Sequence, residues 1–278
     1  MPLENLPPLN IAVLLRTHGL QASKGLGQNF LQDDEVLAKI VSAAGVTADD
    51  DVLEIGPGLG SLTRHLALSA RSVTAVELDA SLIPVLGEVL KPFGNVRVVQ
   101  GDILNFTPAE LMPGGDYLVA ANIPYYITSA VFRHLLDKPP RPRRIALTIQ
   151  REVAERICAA PGEMSLLALS VQVYGKPSIA AKIPAGAFYP APKVDSAVIR
   201  VDLYPEPLIP VGRLEAFFRL AKAGFSQKRK TLRNSLSAGL AIPAAEAANL
   251  LSAAEIDPMR RAETLSIEEW GKLVRQGN

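Results

Sequence analysis

The sequence predicts a doubly wound α/β domain followed by a small helical domain, and three observations carry that expectation. Between residues 50 and 150, short apolar runs alternate with amphipathic stretches, the pattern of a parallel sheet covered by helices. A glycine-rich turn, Glu54-Ile-Gly56-Pro-Gly58-Leu-Gly60, follows the first run and opens a helix. Beyond the proline-spaced segment 205–210 the pattern becomes helical throughout.

Taken in order, the apolar runs 51–55, 72–77, 96–100, 117–121 and 145–150 predict five strands, with amphipathic helices between them at 61–69, 81–90 and 128–136. Stretches 151–158 and 165–174 read as helices. Two further strands, 178–183 and 196–203, are joined by a proline-rich loop and read as a hairpin completing the sheet. Helices are expected at 213–224, 231–240, 244–251 and 267–275, so the two domains are 1–204 and 205–278. In an open α/β sheet ligands sit at the carboxyl ends of the strands, where Glu54, Glu77, Asp102 and Asn122 all fall.

With 278 residues, 48% of them hydrophobic, the chain can bury a full core and has room for a second, smaller domain. No apolar run approaches the roughly 20 residues of a membrane helix. The N-terminus shows no charged region followed by a long apolar stretch, so the expectation is a cytoplasmic, membrane-free protein. Cys158 is the only cysteine, which excludes an intrachain disulfide, and most simply it is a small buried hydrophobe on a helix. His18, His65 and His134 are too scattered for a metal cluster, so metal-free chemistry is expected. Net charge is only +1, but residues 205–278 hold eleven Lys and Arg against eight Asp and Glu. Within 213–233 seven basic residues face the single acid Glu215, and within 133–156 seven face three. Such stripes suit a phosphate backbone, and equally suit a solvated helix face.

Asn122-Ile123-Pro124-Tyr125 directly follows the apolar run 117–121. An adenine amine is a poor nucleophile because its lone pair is delocalised into the ring. A site that methylates it must accept the amine hydrogens and turn the lone pair toward an electrophile. The Asn122 side-chain oxygen and the Ile123 carbonyl are candidate acceptors. Pro124 stiffens the turn, and Tyr125 offers a face on which a base can stack, worth about 1–3 kcal/mol. Asn-x-Pro is also ordinary strand-ending turn chemistry.

The glycine loop narrows the cofactor. The dinucleotide fingerprint requires glycine at position 61, and Ser61 stands there, which argues against a pyrophosphate. S-adenosylmethionine instead presents an amino group, a ribose diol and an adenine. Glu77, 21 residues after Gly56 at the end of the second strand, suits the diol, and Asp102 after the third strand suits the adenine amine.

On these residues the chain resembles the ribosomal RNA adenine dimethyltransferases, and most closely their small-subunit members, which modify two adjacent adenosines near the 3′ end of 16S ribosomal RNA. The likeness begins at Gly27-Gln28-Asn29-Phe30-Leu31 and includes Glu54 to Gly60, Glu77, Asp102 and Asn122 to Tyr125. It implies a Rossmann-like methyltransferase sheet and a cofactor site of Gln28, Asn29, Leu31, Glu54, Gly56, Gly58, Gly60, Glu77, Asp102 and Asn122. It also implies catalysis by Asn122, Ile123, Pro124 and Tyr125, with Phe188 opposite the tyrosine. Phe188 opens Phe188-Tyr-Pro-Ala-Pro-Lys-Val-Asp-Ser196, similar to the family's substrate loop with Ala191 in place of a common proline. The strings 226–236 and 256–260 resemble the small-subunit helical domain, and imply RNA contact by Lys228, Arg229, Lys230 and Arg233, with Lys193 contributing from the substrate loop. Small ribosomal subunits or their precursors are the implied partner, and a monomer the expected state. On their own chemistry Gln28, Asn29 and Asp195 read equally as capping or turn residues, and Phe188 as core. A large-subunit dimethylase of the antibiotic-resistance kind, a DNA adenine methyltransferase and a ribosome-assembly binding protein on the same fold are the alternative readings.

Overall fold

The computed structural model describes residues 6–276. In chain order the elements are α1 (Ile11–Thr17), β1 (Phe30–Leu31), α2 (Asp34–Ala44), β2 (Asp51–Ile55), α3 (Ser61–Ser69), β3 (Ser72–Glu77), α4 (Ile83–Leu90) and β4 (Val96–Gln100). They continue with α5 (Pro108–Leu111), β5 (Leu118–Asn122), α6 (Thr128–Asp137), β6 (Arg144–Gln150), α7 (Arg151–Ile157), α8 (Leu166–Gln172), β7 (Gly175–Ile183), β8 (Phe188–Tyr189) and β9 (Ser196–Leu203). The last four are α9 (Leu214–Phe225), α10 (Leu232–Leu240), α11 (Ala244–Ala253) and α12 (Ile267–Gln276).

Seven strands form one sheet in the order β4-β3-β2-β5-β6-β9-β7. Pairing is parallel from β4 through β6, and β9 returns antiparallel with Gln150 opposite Ser196. The chain moves outward from β2 to β4 and then crosses back to lay β5 on the other side of β2. That reversal opens a crevice at the carboxyl ends of β2 and β5, the switch point where doubly wound sheets bind ligands. The expected architecture is therefore present, with β7 and β9 as neighbours at the far edge of the sheet.

One face of the sheet is covered by α2 and α3. Leu37, Ile40, Leu62 and Leu66 pack there with Val52, Leu118 and Val198, each at most 3% exposed. Helix α2, like α1 and α5, has no counterpart among the elements that the sequence pattern predicts. It starts because Asp33 caps it, accepting from the Glu35 and Val36 amides at 3.0 and 3.2 Å, and it stops at Gly45, whose φ is 62°. A separate two-stranded ladder pairs β1 with β8, setting Leu31 opposite Phe188.

The chain divides into two compact units, and the division is not a single cut after residue 204. The first unit runs to Ala154 and resumes at Ser178–Leu203; the second takes Glu155–Pro177 together with the chain from Tyr204 onward. The reason is packing: Ala168, Leu169 and Val171 of α8 are buried, and Tyr174 stacks on Phe218 of α9 at 6.4 Å. In this second unit α9 and α10 approach so closely at Gly239 that a Cβ there would lie 2.6 Å from the Ala223 Cα. Trp270 of α12 is fully buried and stacks on Phe225 at 6.0 Å. Among the described residues no single helix is long and apolar enough to cross a membrane.

Candidate active site

A cavity of about 320 Å³ opens at the carboxyl ends of β2 to β5, roofed by the segment leading into β1. Gln28, Asn29, Leu31, Glu54, Gly56, Gly58, Glu77, Asp102 and the whole of Asn122-Ile123-Pro124-Tyr125 line it. These residues come from segments far apart in the chain, and the sheet brings them together.

Its charged wall has one unsatisfied group. Glu54 is 1% exposed, and its Oε2 has no hydrogen-bond partner among the described residues. Burial pushes the Glu54 carboxyl up to about 8, with a Thr63 hydrogen bond opposing and the nearby Glu77 charge adding to that shift. A buried carboxyl with one oxygen left without a donor beside a cavity fits a ligand that brings a cationic amine. Glu77 is also buried, which raises its carboxyl, but it accepts the Asp79 and Gly58 amides at 2.8 and 2.9 Å, which oppose the rise. Those two bonds fix the carboxylate in place while leaving further lone pairs for a diol. Asp102 accepts from the Leu104 amide at 2.9 Å and so caps the turn after β4. This donor and acceptor set fits the amino, ribose and adenine groups of S-adenosylmethionine. Gly58 adopts φ of 60°, and a Cβ there would stand 2.9 Å from the Phe30 ring, so the loop lies directly beneath the β1 segment.

Gly60 departs from expectation. It is absent from the cavity wall and instead forms the N-cap of α3 at φ 85°, where a Cβ would press on Leu86 and Val89 at 3.1 and 3.2 Å. Its glycine is required by helix packing. Gln28 lines the cavity yet is tied at both ends of its amide: Nε2 donates to Asp79 at 2.8 Å and Oε1 accepts the Ser23 amide at 2.8 Å. It pins the N-terminal segment to the loop after β3.

Asn122 ends β5, and its Nδ2 donates to the Asn29 carbonyl at 2.9 Å. A carbonyl can only accept, so this bond assigns the nitrogen and leaves Oδ1 as the end of the amide that can accept from a ligand. Ile123 is 2% exposed, and Pro124 turns the chain into a short 3-10 turn at Tyr125–Ile127. The half-buried Tyr125 places its hydroxyl 2.6 Å from Ser196 Oγ. Burial raises the Tyr125 phenol, with the Ser196 hydrogen bond opposing. The sequence carries no signal for Ser196, because a serine opening a strand has no distinguishing pattern. Nor does it mark Tyr126, which lies on the cavity rim and is 64% exposed.

Phe188, expected opposite Tyr125, is placed in the core. It is 3% exposed, is not part of the cavity wall, and packs in the core with Leu31, Val36 and Leu37. Strand alternation explains this: Phe188 points inward from β8, while Tyr189 is 40% exposed. Cys158 is likewise displaced from its expected place, sitting half-exposed just after α7.

Lys193 is exposed on the loop between β8 and β9. Lys228, Arg229 and Lys230 are exposed in the turn joining α9 to α10, and Arg233 is half-buried at the start of α10. The Leu232 and Arg233 amides donate to the Arg260 and Pro258 carbonyls at 2.6 and 3.2 Å, so any anion there meets side chains. Arg260 in turn is held by an ion pair to Glu269 and by the Thr264 carbonyl at 2.7 Å.

Comparison with known proteins agrees with this geometry. The chain is 48% identical over 263 residues to the ribosomal RNA small subunit methyltransferase A of Dehalococcoides mccartyi (strain CBDB1), covering 94% of this chain and 90% of the relative. With the enzyme of that name from Alkaliphilus oremlandii (strain OhILAs) it shares 41% over 274 residues, 96% of each. Among solved structures, a dimethyladenosine transferase from Plasmodium falciparum superposes with a TM-score of 0.76 at 25% identity, covering 88% of this chain and 95% of that one. The 23S rRNA methyltransferase ErmE gives 0.70 at 30% identity, covering 89% and 99%. The model of the ribosomal RNA adenine dimethylase family matches residues 19–274. With the switch-point cavity, the unpartnered Glu54 Oε2 and the oriented Asn122 amide in place, the chain belongs to the ribosomal RNA adenine dimethylase family.

Proposed function

We infer that this protein dimethylates the exocyclic amines of two adjacent adenosines near the 3′ end of small-subunit ribosomal RNA. The observation that carries the reading is the Asn122 amide, held by the Asn29 carbonyl with its oxygen left to accept, on the wall of a cavity that also holds the unpartnered Glu54 Oε2.

Glu54, Glu77, Asp102 and the backbone at Gly56 and Gly58 would hold S-adenosylmethionine. When bound, that cofactor supplies an electrophilic methyl group on a sulfonium. Asn122 Oδ1 and the Ile123 carbonyl accept the two hydrogens of the target amine and turn its lone pair out of conjugation. Tyr125 stacks on the base and holds the amine in line. The methylated amine is acidic and gives its proton to water, so no side chain is needed as a base. Bringing the adenine out of its stack costs a few kcal/mol, offset by contacts elsewhere on the RNA. Lys193 on the β8–β9 loop and Lys228, Arg229, Lys230 and Arg233 in the helical unit are suited to those phosphate contacts.

The small subunit is favoured as substrate because relatives bearing that name are 40–48% identical over nearly the full chain, against 30% for the 23S enzyme. On this reading the protein works as a monomer in the cytoplasm, its first unit carrying the chemistry and its helical unit reading RNA shape. The test is mass spectrometry of nucleosides from small subunits of a methylase-deficient strain after incubation with protein and S-adenosylmethionine. Dimethyladenosine from the wild type and none from Asn122→Ala is the expected result. Product only on large-subunit RNA or DNA would overturn the substrate.

A further inference from the structure

The Tyr125 hydroxyl is held by a residue that nothing in the proposed chemistry uses. Ser196 is fully buried, opens β9, and pairs with Gln150 at the carboxyl end of β6, so its position is set by the sheet. Next to it, Asp195 accepts the Ala185 amide at 3.3 Å and pairs with Arg151, while its carbonyl accepts the Arg151 amide at 3.0 Å. The support beneath Ser196 is therefore braced on both sides. Tyr125, by contrast, begins a three-residue 3-10 turn, and Thr128 holds only its carbonyl, at 2.9 Å. The hydrogen bond between Tyr125 Oη and Ser196 Oγ, 2.6 Å, is what fixes the far end of the ring.

We propose that Ser196 is a positioning residue that anchors the far end of the Tyr125 ring, and that the second methyl transfer depends on it more than the first. The proposal rests on the functional reading above. In the first transfer the amine offers two hydrogens to the two acceptors, Asn122 Oδ1 and the Ile123 carbonyl. In the second it offers one, because a methyl group has replaced the other. With one hydrogen bond fewer, the orientation of the base relies more heavily on the face of Tyr125. Loosening that ring then penalises the monomethylated base selectively.

The experiment follows N6-monomethyl- and dimethyladenosine over time on unmodified small subunits, using wild type, Ser196→Ala, Ser196→Thr, Tyr125→Phe and the double variant Ser196→Ala/Tyr125→Phe. For Ser196→Ala we expect monomethyladenosine to accumulate, with the second step slowed roughly fivefold or more relative to the first, the factor expected from one net hydrogen bond. S-adenosylmethionine affinity should be unchanged. Tyr125→Phe should show the same bias, and the double variant no more than either single one, because both remove the same hydrogen bond. Ser196→Thr, which retains the hydroxyl, should restore the wild-type ratio. A wild-type product ratio in Ser196→Ala, or effects that multiply in the double variant, would overturn the proposal. Should Ser196→Ala fail to fold, a wild-type ratio in Tyr125→Phe overturns it alone. Absence of dimethyladenosine from the wild type on every RNA would sink the functional reading instead.

Discussion

Asn122 donates its side-chain amide to the Asn29 carbonyl at 2.9 Å, tying the turn after β5 to a segment 93 residues earlier. One hydrogen bond thus orients a proposed catalytic oxygen and closes the roof of the cavity. Asn122→Ala should lower methyl transfer by about 10²–10³-fold, the usual effect of removing one aligned polar group. Asn122→Asp is nearly isosteric but sets a carboxylate against a carbonyl. It should therefore bind S-adenosylmethionine more weakly than Asn122→Ala, as titration calorimetry would show; equal affinities would mean the roof is held by other interactions.

Glu54 predicts a pH dependence. Its carboxyl lies at about 8 in the folded protein against 4.5 ordinarily, because it is buried. The folded state therefore keeps a proton that the unfolded chain releases above pH 4.5. The stability this confers is complete below that pH and is lost as pH rises through about 8. Glu77, raised in the same direction, adds to the trend. Urea unfolding of Glu54→Gln without cofactor should show a smaller decline in stability between about pH 5 and pH 8 than wild type. Cofactor binding near pH 7 should release up to about one proton from wild type and less from the variant, measured by calorimetry in buffers of different ionisation enthalpy.

The helical unit has its own weak point at Gly239. A methyl there meets the Ala223 Cα at 2.6 Å, so Gly239→Ala must push α9 and α10 apart. Overpacking of this kind costs about 1–3 kcal/mol. Better helix propensity returns at most about 1 kcal/mol. Trp270, the only tryptophan, is buried in this unit and reports on it by fluorescence. Its unfolding midpoint should fall; an unchanged midpoint would show that the crossing can relax.

The cations of the α9–α10 turn are exposed, so removing them should weaken binding without lowering stability. Replacing Lys228, Arg229 and Lys230 by alanine should reduce RNA affinity and flatten the dependence of log affinity on log salt by about 0.7–0.9 for each phosphate that is no longer neutralised. An unchanged slope would place the RNA elsewhere.

Much of the sheet is legible in the sequence because each central strand is a short apolar run. Strands β2, β3, β4 and β9 coincide with the runs at 51–55, 72–77, 96–100 and 196–203. The two-residue strands β1 and β8 are not legible, since two residues carry no period and the ladder exists only through pairing of Leu31 with Phe188. Segment 155–177 falls on the other side of the unit boundary from the one its sequence position suggests, for a related reason. Its apolar face is visible in the sequence, but not the partner it covers.

Residue type and order along the chain were enough to determine the kind of site: a glycine turn, a ribose-suited acid at Glu77, a third-strand Asp102 and the Asn122 to Tyr125 turn, each at a strand end. Tertiary structure alone decided what each side chain does there. It left one Glu54 oxygen without a donor, gave the Asn122 nitrogen to Asn29, joined Tyr125 to Ser196, turned Phe188 into the core and committed Gly60 to helix packing. Spacing specifies where a residue lies along its own element, whereas burial and hydrogen-bond partners depend on elements that meet it from distant parts of the chain.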